Sequence, residues 1–227
     1  MMERIVVIGL GLIGGSMSID LKKNGKRQII GLDKNEHHTQ KALELGVIDA
    51  IGTENDIATA DIVIVAVPAD VIPSVTKSVL DKIVGNTLVF DVGSVKGQVC
   101  SQIKNHPKRK NYVAAHPIAG TEFSGPEAAF SGLFANKINI ICDKEASDEK
   151  TLEKALQLFD ELQMRITFMK ADEHDKHIAY VSHLSHISAF MLGKTVLEIE
   201  PDEKNIFNMA GSGFSSTVGL AKSSPAR

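Results

Sequence analysis

The sequence predicts an α/β fold: a doubly wound, mainly parallel sheet over residues 1–170, then the start of an all-helical domain over 171–227. Three observations predict it. Apolar runs alternate with helical periodicity from Arg4 to Phe168, the order of a parallel sheet with helices on both faces. Ile62-Val63-Ile64-Val65-Ala66-Val67 is apolar at every position, as in a strand covered on both sides. Finally, Gly9-Leu10-Gly11-Leu12-Ile13-Gly14 stands between an apolar run and an amphipathic segment, in the order strand, tight turn, helix.

Strands are predicted at Arg4–Ile8, Gln28–Asp33, Ile62–Val67, Leu88–Asp91, Tyr112–Ala115, Ile138–Cys142 and Arg165–Phe168. Helices are predicted at Ile13–Lys23, Glu36–Leu45, Ile72–Ile83, Val95–Lys104 and Glu149–Leu162. After Lys170 the strand signal stops. Glu173–Lys194 reads as one long helix and Pro201–Met209 as a short one, followed by the small residues Ala210-Gly211-Ser212-Gly213.

The first motif points to a Rossmann-type dinucleotide site. Gly9 permits the turn, Gly11 lets the backbone approach a pyrophosphate, and Gly14 brings the helix close to the sheet. The helix N-terminus at Leu12 and Ile13 then offers its unpaired N–H groups to the phosphates. Asp33 closes the second strand about twenty residues on, where an acid accepts the ribose hydroxyls and repels a 2′-phosphate. NAD is therefore expected over NADP, although Lys34 leaves room for a phosphate. Val67 and Pro68 end the third predicted strand at the carboxyl edge, where ligands sit in open α/β folds.

A net charge of −3 gives no reason to expect nucleic acid or an anionic membrane as partner. No apolar run has the length of a bilayer span, and no signal-peptide pattern precedes the first strand. Two cysteines, Cys100 and Cys142, are too few for a disulfide framework, so a reduced, cytoplasmic enzyme is expected. The last residues, Ser223-Ser224-Pro225-Ala226-Arg227, carry no packed element and read as a cut end.

Three segments gather reactive groups. Asp91-Val92-Gly93-Ser94-Val95-Lys96 follows a strand, so Ser94 and Lys96 are expected to project over the carboxyl edge near a nicotinamide. In Ala115-His116-Pro117-Ile118-Ala119-Gly120, an imidazole stands at a strand end before a rigid turn. A dehydrogenase needs a group that takes the alcohol proton, and His116 is the candidate. In Ser182-His183-Leu184-Ser185-His186, Ser182 and His186 share one helical face. The pairs His174/His177 and His183/His186 raise a metal reading. Their i, i+3 spacing and the lack of His-Glu-x-x-His argue against it, so no metal is expected. His37-His38 reads as solvated.

Together these segments resemble the prephenate dehydrogenase family, including its arogenate-using members. The match is carried by Val7 to Ser16, Asp91 to Lys96, His116 to Gly120, Ser182 to His186 and Gly213-Phe214, in family order. The resemblance implies oxidative decarboxylation of prephenate by NAD to 4-hydroxyphenylpyruvate, on the route to tyrosine, by a homodimer. It implies that His116 accepts the proton of the ring hydroxyl, that Ser94 orients that histidine and the hydroxyl, and that Ser182 and His186 line the substrate or nicotinamide pocket.

One departure stands out. The family carries an arginine for a substrate carboxylate shortly after the Gly-Phe pair, and here Gly219 occupies that place. Family members also continue for several helices beyond Pro225. Strong cofactor binding with impaired turnover is therefore expected. The rival readings are an arogenate dehydrogenase, a hydroxyacid- or imine-type oxidoreductase using Lys176 or Lys194, and a non-catalytic NAD-binding module.

Overall fold

The computed structural model describes residues 2–199. Eight strands form one sheet: β1 (Glu3–Ile8), β2 (Arg27–Leu32), β3 (Ala50–Ile51), β4 (Ile62–Val65), β5 (Leu88–Asp91), β6 (Tyr112–Pro117), β7 (Ile138–Cys142) and β8 (Arg165–Met169). Their order across the sheet is β3-β2-β1-β4-β5-β6-β7-β8. All neighbours run parallel except β6 and β7. The strand order reverses between β1 and β4, and the crevice at such a switch point is where open α/β sheets bind ligands.

The strands sort their residues by alternation. Ile5, Val7, Ile62, Ile64, Leu88, Phe90, Val113 and Ala115 face α1 (Leu12–Lys22), α2 (Glu36–Glu44) and α5 (Glu149–Glu161). Their neighbours Val6, Val63, Val65, Val89, Tyr112 and Ala114 face α3 (Ile72–Lys82) and α4 (Gly97–Gln102). Phe90 and Phe159 meet edge to face across the first layer, 5.1 Å between ring centroids. Burial pushes the thiols of Cys100 and Cys142, both free and buried, up to about 12, so both stay protonated.

Helix starts follow local chemistry. Asn35 caps α2 by accepting from the His37 amide at 3.0 Å, and Asp148 caps α5 by accepting from Lys150 at 3.0 Å. At α3 a proline, Pro73, occupies the first turn. By contrast, Gly11 caps α1 with no side-chain bond at all.

Four features differ from the expectation. β3 has only two residues and shows no apolar run. β4 stops at Val65, leaving Val67 and Pro68 in the connection that follows. α4 begins at Gly97 rather than Val95, because Lys96 turns back into the protein. The long C-terminal helix is α6 (Ala171–Ile178), a π turn (Ala179–His183) and α7 (Leu184–Ile199).

The chain divides into two units between His174 and Asp175. The first holds the sheet. The second, over its described residues, is the helical run through the π turn to Ile199. Pro201–Met209, Gly213-Phe214 and Gly219 lie outside the described residues.

Candidate active site

At the end of β1 the chain must turn sharply beneath the end of β4. Gly9 has φ +97°, and a methyl group on it would overlap the Ala66 carbonyl oxygen. Gly14, one turn into α1, lies so close that a methyl group would overlap the Gly9 carbonyl oxygen. Gly11 is different, since a methyl group there would meet nothing within 4 Å. The backbone thus has an open face just where α1 begins, with no acidic side chain in the first turn.

Leu12 and Ile13 pack their side chains with the core, which leaves their backbone at the uncapped helix start. A hollow of this kind can take a pyrophosphate, and a side chain at position 11 would fill it. Asp33 follows β2 at the same edge. Its Oδ2 accepts from the Leu10 amide at 2.8 Å and its Oδ1 from the Asn35 amide at 2.9 Å, so the carboxylate is fixed beside the glycine turn. His38 lies half-buried with Nδ1 3.5 Å from Asp33 Oδ2, not simply solvated. Half-buried Val67 and exposed Pro68 complete the rim past β4. These residues fit a dinucleotide.

Between β5 and α4 the structure corrects the sequence reading of Lys96. Its side chain does not project over the edge: Lys96, Asp91 and Tyr112 are all fully buried. Asp91 Oδ2 accepts from Lys96 Nζ and, at 2.9 Å, from the Gly93 amide, while its Oδ1 accepts from the Tyr112 hydroxyl at 2.5 Å. Burial first, then the Asp91 charge, raises the Tyr112 hydroxyl well above its ordinary value, so it remains a donor. Lys96 Nζ also donates to the Ala115 carbonyl at 2.8 Å. Ser94 rides on this loop, half-buried.

His116 stands on β6, its side chain only 9% exposed. Its Nδ1 lies 2.8 Å from Nε2 of His174, which is fully buried on α6. The two rings meet edge to face with centroids 5.0 Å apart. The sequence reading missed this partner, because His174 sits 58 residues away in a polar segment. The pairing can fix the orientation of the His116 ring and the nitrogen that carries its proton.

Ser182 lies in the π turn and half-buried His186 in α7, both in the second unit. A single π turn in an α-helix is frequent at functional sites. Among the described residues no group of three or more His, Cys, Asp or Glu could hold a metal ion, and no helix is long and apolar enough to cross a membrane.

Comparison with known proteins decides the family. The nucleotide-binding domain of prephenate dehydrogenase matches residues 17–168, and the dimerization domain of the same enzyme matches 170–227. The chain belongs to the prephenate dehydrogenase family. A curated prephenate dehydrogenase of Bacillus subtilis is 34% identical over all of this chain, which spans 62% of that relative's length. Among solved structures, prephenate dehydrogenase from Aquifex aeolicus in complex with hydroxyphenyl propionate and NAD+ superposes with a TM-score of 0.89. It is 30% identical, and the match covers 99% of this chain and 80% of that one. Synechocystis arogenate dehydrogenase superposes with a TM-score of 0.79 at 26% identity, covering 98% of this chain and 80% of that one.

The glycine turn yields a paired prediction. Gly11→Ala should leave the melting temperature near that of the parent while weakening NAD binding by at least about tenfold, or roughly 1.4 kcal/mol. Gly14→Ala should instead destabilise the fold by about 1–3 kcal/mol, as overpacking does. Titration calorimetry and thermal melts read both. Parent-like NAD affinity in Gly11→Ala would remove the cradle from the cofactor site.

Proposed function

We propose that this chain carries the NAD-dependent oxidative decarboxylation of prephenate to 4-hydroxyphenylpyruvate. The observation that carries the reading is the buried His116–His174 pair on the strand edge that also bears the glycine cradle. Family membership supports it, and so does the likeness to an enzyme solved with NAD+ and hydroxyphenyl propionate.

Gly9, Gly11, Leu12, Ile13 and Gly14 would hold the pyrophosphate, Asp33 the adenosine ribose, and Val67 and Pro68 the rim. NAD, when bound, supplies the hydride acceptor. Asp33, with both oxygens already fixed to backbone amides, favours a ribose diol over a 2′-phosphate, which supports NAD rather than NADP.

The residues of this chain then orient the substrate and move one proton. His116 Nε2 accepts the proton of the ring hydroxyl. For that nitrogen to be unprotonated, Nδ1 must carry the hydrogen and donate to His174 Nε2, which places the His174 hydrogen on its Nδ1. The imidazolium that forms keeps its donor bond to His174 and, once the hydride has moved to NAD and the ring carboxylate has left as CO2, returns the proton to the phenolate oxygen, so that the product carries its hydroxyl. Ser94 orients the hydroxyl toward that nitrogen. Loss of the ring carboxylate makes the ring aromatic and drives the step, so the protein need not supply a strong acid. Ser182 and His186 are assigned to substrate binding. A domain boundary near residue 170, with a helical substrate and dimerisation domain beyond, belongs to the same reading.

A homodimer is part of the proposal. Tyr180, Val181, Leu184, Ile187 and Met191 are each more than half exposed, and positions 180, 184, 187 and 191 recur at helical spacing. Such a stripe suits a second copy of the chain. The two buried, protonated thiols suit a reduced, cytoplasmic setting.

Three measurements bear on this. NADH formation measured side by side with prephenate and arogenate should favour prephenate, and a preference for arogenate would reassign the substrate. His116→Asn should keep NAD affinity within about twofold and lose roughly 100-fold or more in rate; unchanged turnover would remove His116 from the proton transfer. In sedimentation velocity the chain should run as a dimer and Ile187→Asp as a monomer. A monomeric parent at micromolar concentration would refute the assignment of the stripe.

A further inference from the structure

The ladder between β5 and β6 ends at the pair Asp91–Ala114. One residue later, the Ala115 carbonyl has no β5 residue opposite it. Lys96 Nζ reaches that carbonyl at 2.8 Å, from a loop whose own closure it makes by pairing with Asp91. The loop Val92–Val95 therefore carries Ser94 between two fixed points. At one end Asp91 is held by Tyr112 of β6 and by the Gly93 amide. At the other, Lys96 is held by Asp91 and by the peptide that precedes His116.

From this geometry we propose that Lys96 is a positioning residue. It extends the β5–β6 register past the end of the ladder and so sets the separation of Ser94 from His116. The proposal rests on the reading of Ser94 and His116 as the groups that meet the substrate hydroxyl. Lys96 itself touches neither substrate nor cofactor in this scheme, since its side chain is fully buried against Asp91 and Ala115. A cation is suited to the place for two reasons. It neutralises a carboxylate that has no access to water, and it has three N–H donors to share between that carboxylate and a strand carbonyl.

A purely structural role and a positioning role differ in one testable respect. Lys96→Met strands the Asp91 charge and should lower the melting temperature. Asp91→Asn with Lys96→Met removes both charges and should restore most of it. If Lys96 only balances Asp91, the double variant regains turnover together with stability. If Lys96 positions, the double variant binds NAD within about twofold of the parent but remains roughly 100-fold down in kcat, the cost of a misplacement of about 1 Å. Tyr112→Phe, which leaves the Lys96–Ala115 bond intact, should stay within about threefold of the parent in kcat. A loss as large as that of the double variant would assign the effect to the whole network instead of Lys96.

A readout without turnover accompanies these. In 15N-histidine spectra the His116–His174 hydrogen bond should be present in the parent and weakened in the double variant, because β6 beside His116 is then held by β7 alone and its β5-facing side is no longer tied. Parent-like histidine spectra and parent-like kcat in a stable double variant would each overturn the proposal. Turnover that survives in His116→Asn would instead overturn the proton-acceptor reading, and leaves the spectral test of Lys96 standing.

Discussion

Asp91 and Lys96 are withdrawn from water together, and their ion pair ties the end of β5 and the loop after it to β6. Burying two charges is costly unless every remaining donor and acceptor finds a partner. Here the carboxylate takes Lys96, the Gly93 amide and the Tyr112 hydroxyl, and the ammonium also takes the Ala115 carbonyl. Such a network tolerates one arrangement of β5, the following loop and β6. Loosening any member leaves a buried charge or polar group unpaired. The result is rigidity at the two strand ends beside which Ser94 and His116 stand.

The other half of the edge is built by close approach rather than by charge. Gly9 and Gly14 let β1, β4 and α1 come closer than any side chain would allow, and Gly11 leaves the resulting hollow empty. Asp33 ties β2 to that hollow through the Leu10 amide. Sheet order places this cradle at the β1/β4 switch, while β5 and β6 follow on the side away from β2. A dinucleotide laid along the carboxyl edge would have its adenosine ribose at Asp33 and its nicotinamide toward the β5–α4 loop that carries Ser94 and the end of β6 that carries His116. The arrangement follows from the topology: apolar strands form the platform, and the candidate groups stand at its carboxyl edge, His116 at the end of β6 and Ser94 in the loop after β5.

Much of this was legible in the sequence because it is local. Apolar runs, interrupted by Asn139 in β7 and closed by Asp91 in β5, match β4, β5 and β7 to within two residues, and the glycine spacing matches the sharp turn after β1. Two-residue β3 was missed because so short an edge strand leaves no periodicity. The π turn was missed because its residues carry ordinary helical signals. Lys96 was misread for a physical reason: a lysine in a polar loop is normally solvated, and only the buried Asp91 and the free edge of β6 draw it inward. His174 was legible as a histidine but not as a partner, since nothing in a polar helical segment announces a ring 58 residues earlier. Both failures concern contacts that exist only once the sheet has formed.

A crystal structure of the chain grown with NAD tests the central claim most directly, that one edge of this sheet brings a dinucleotide to the His116–His174 pair. The pyrophosphate should lie on the Gly11–Ile13 backbone, the adenosine ribose hydroxyls on Asp33, and the nicotinamide within reach of Ser94, with the His116 ring unmoved. A cofactor bound away from the glycine turn, or a nicotinamide directed away from β5 and β6, would contradict it.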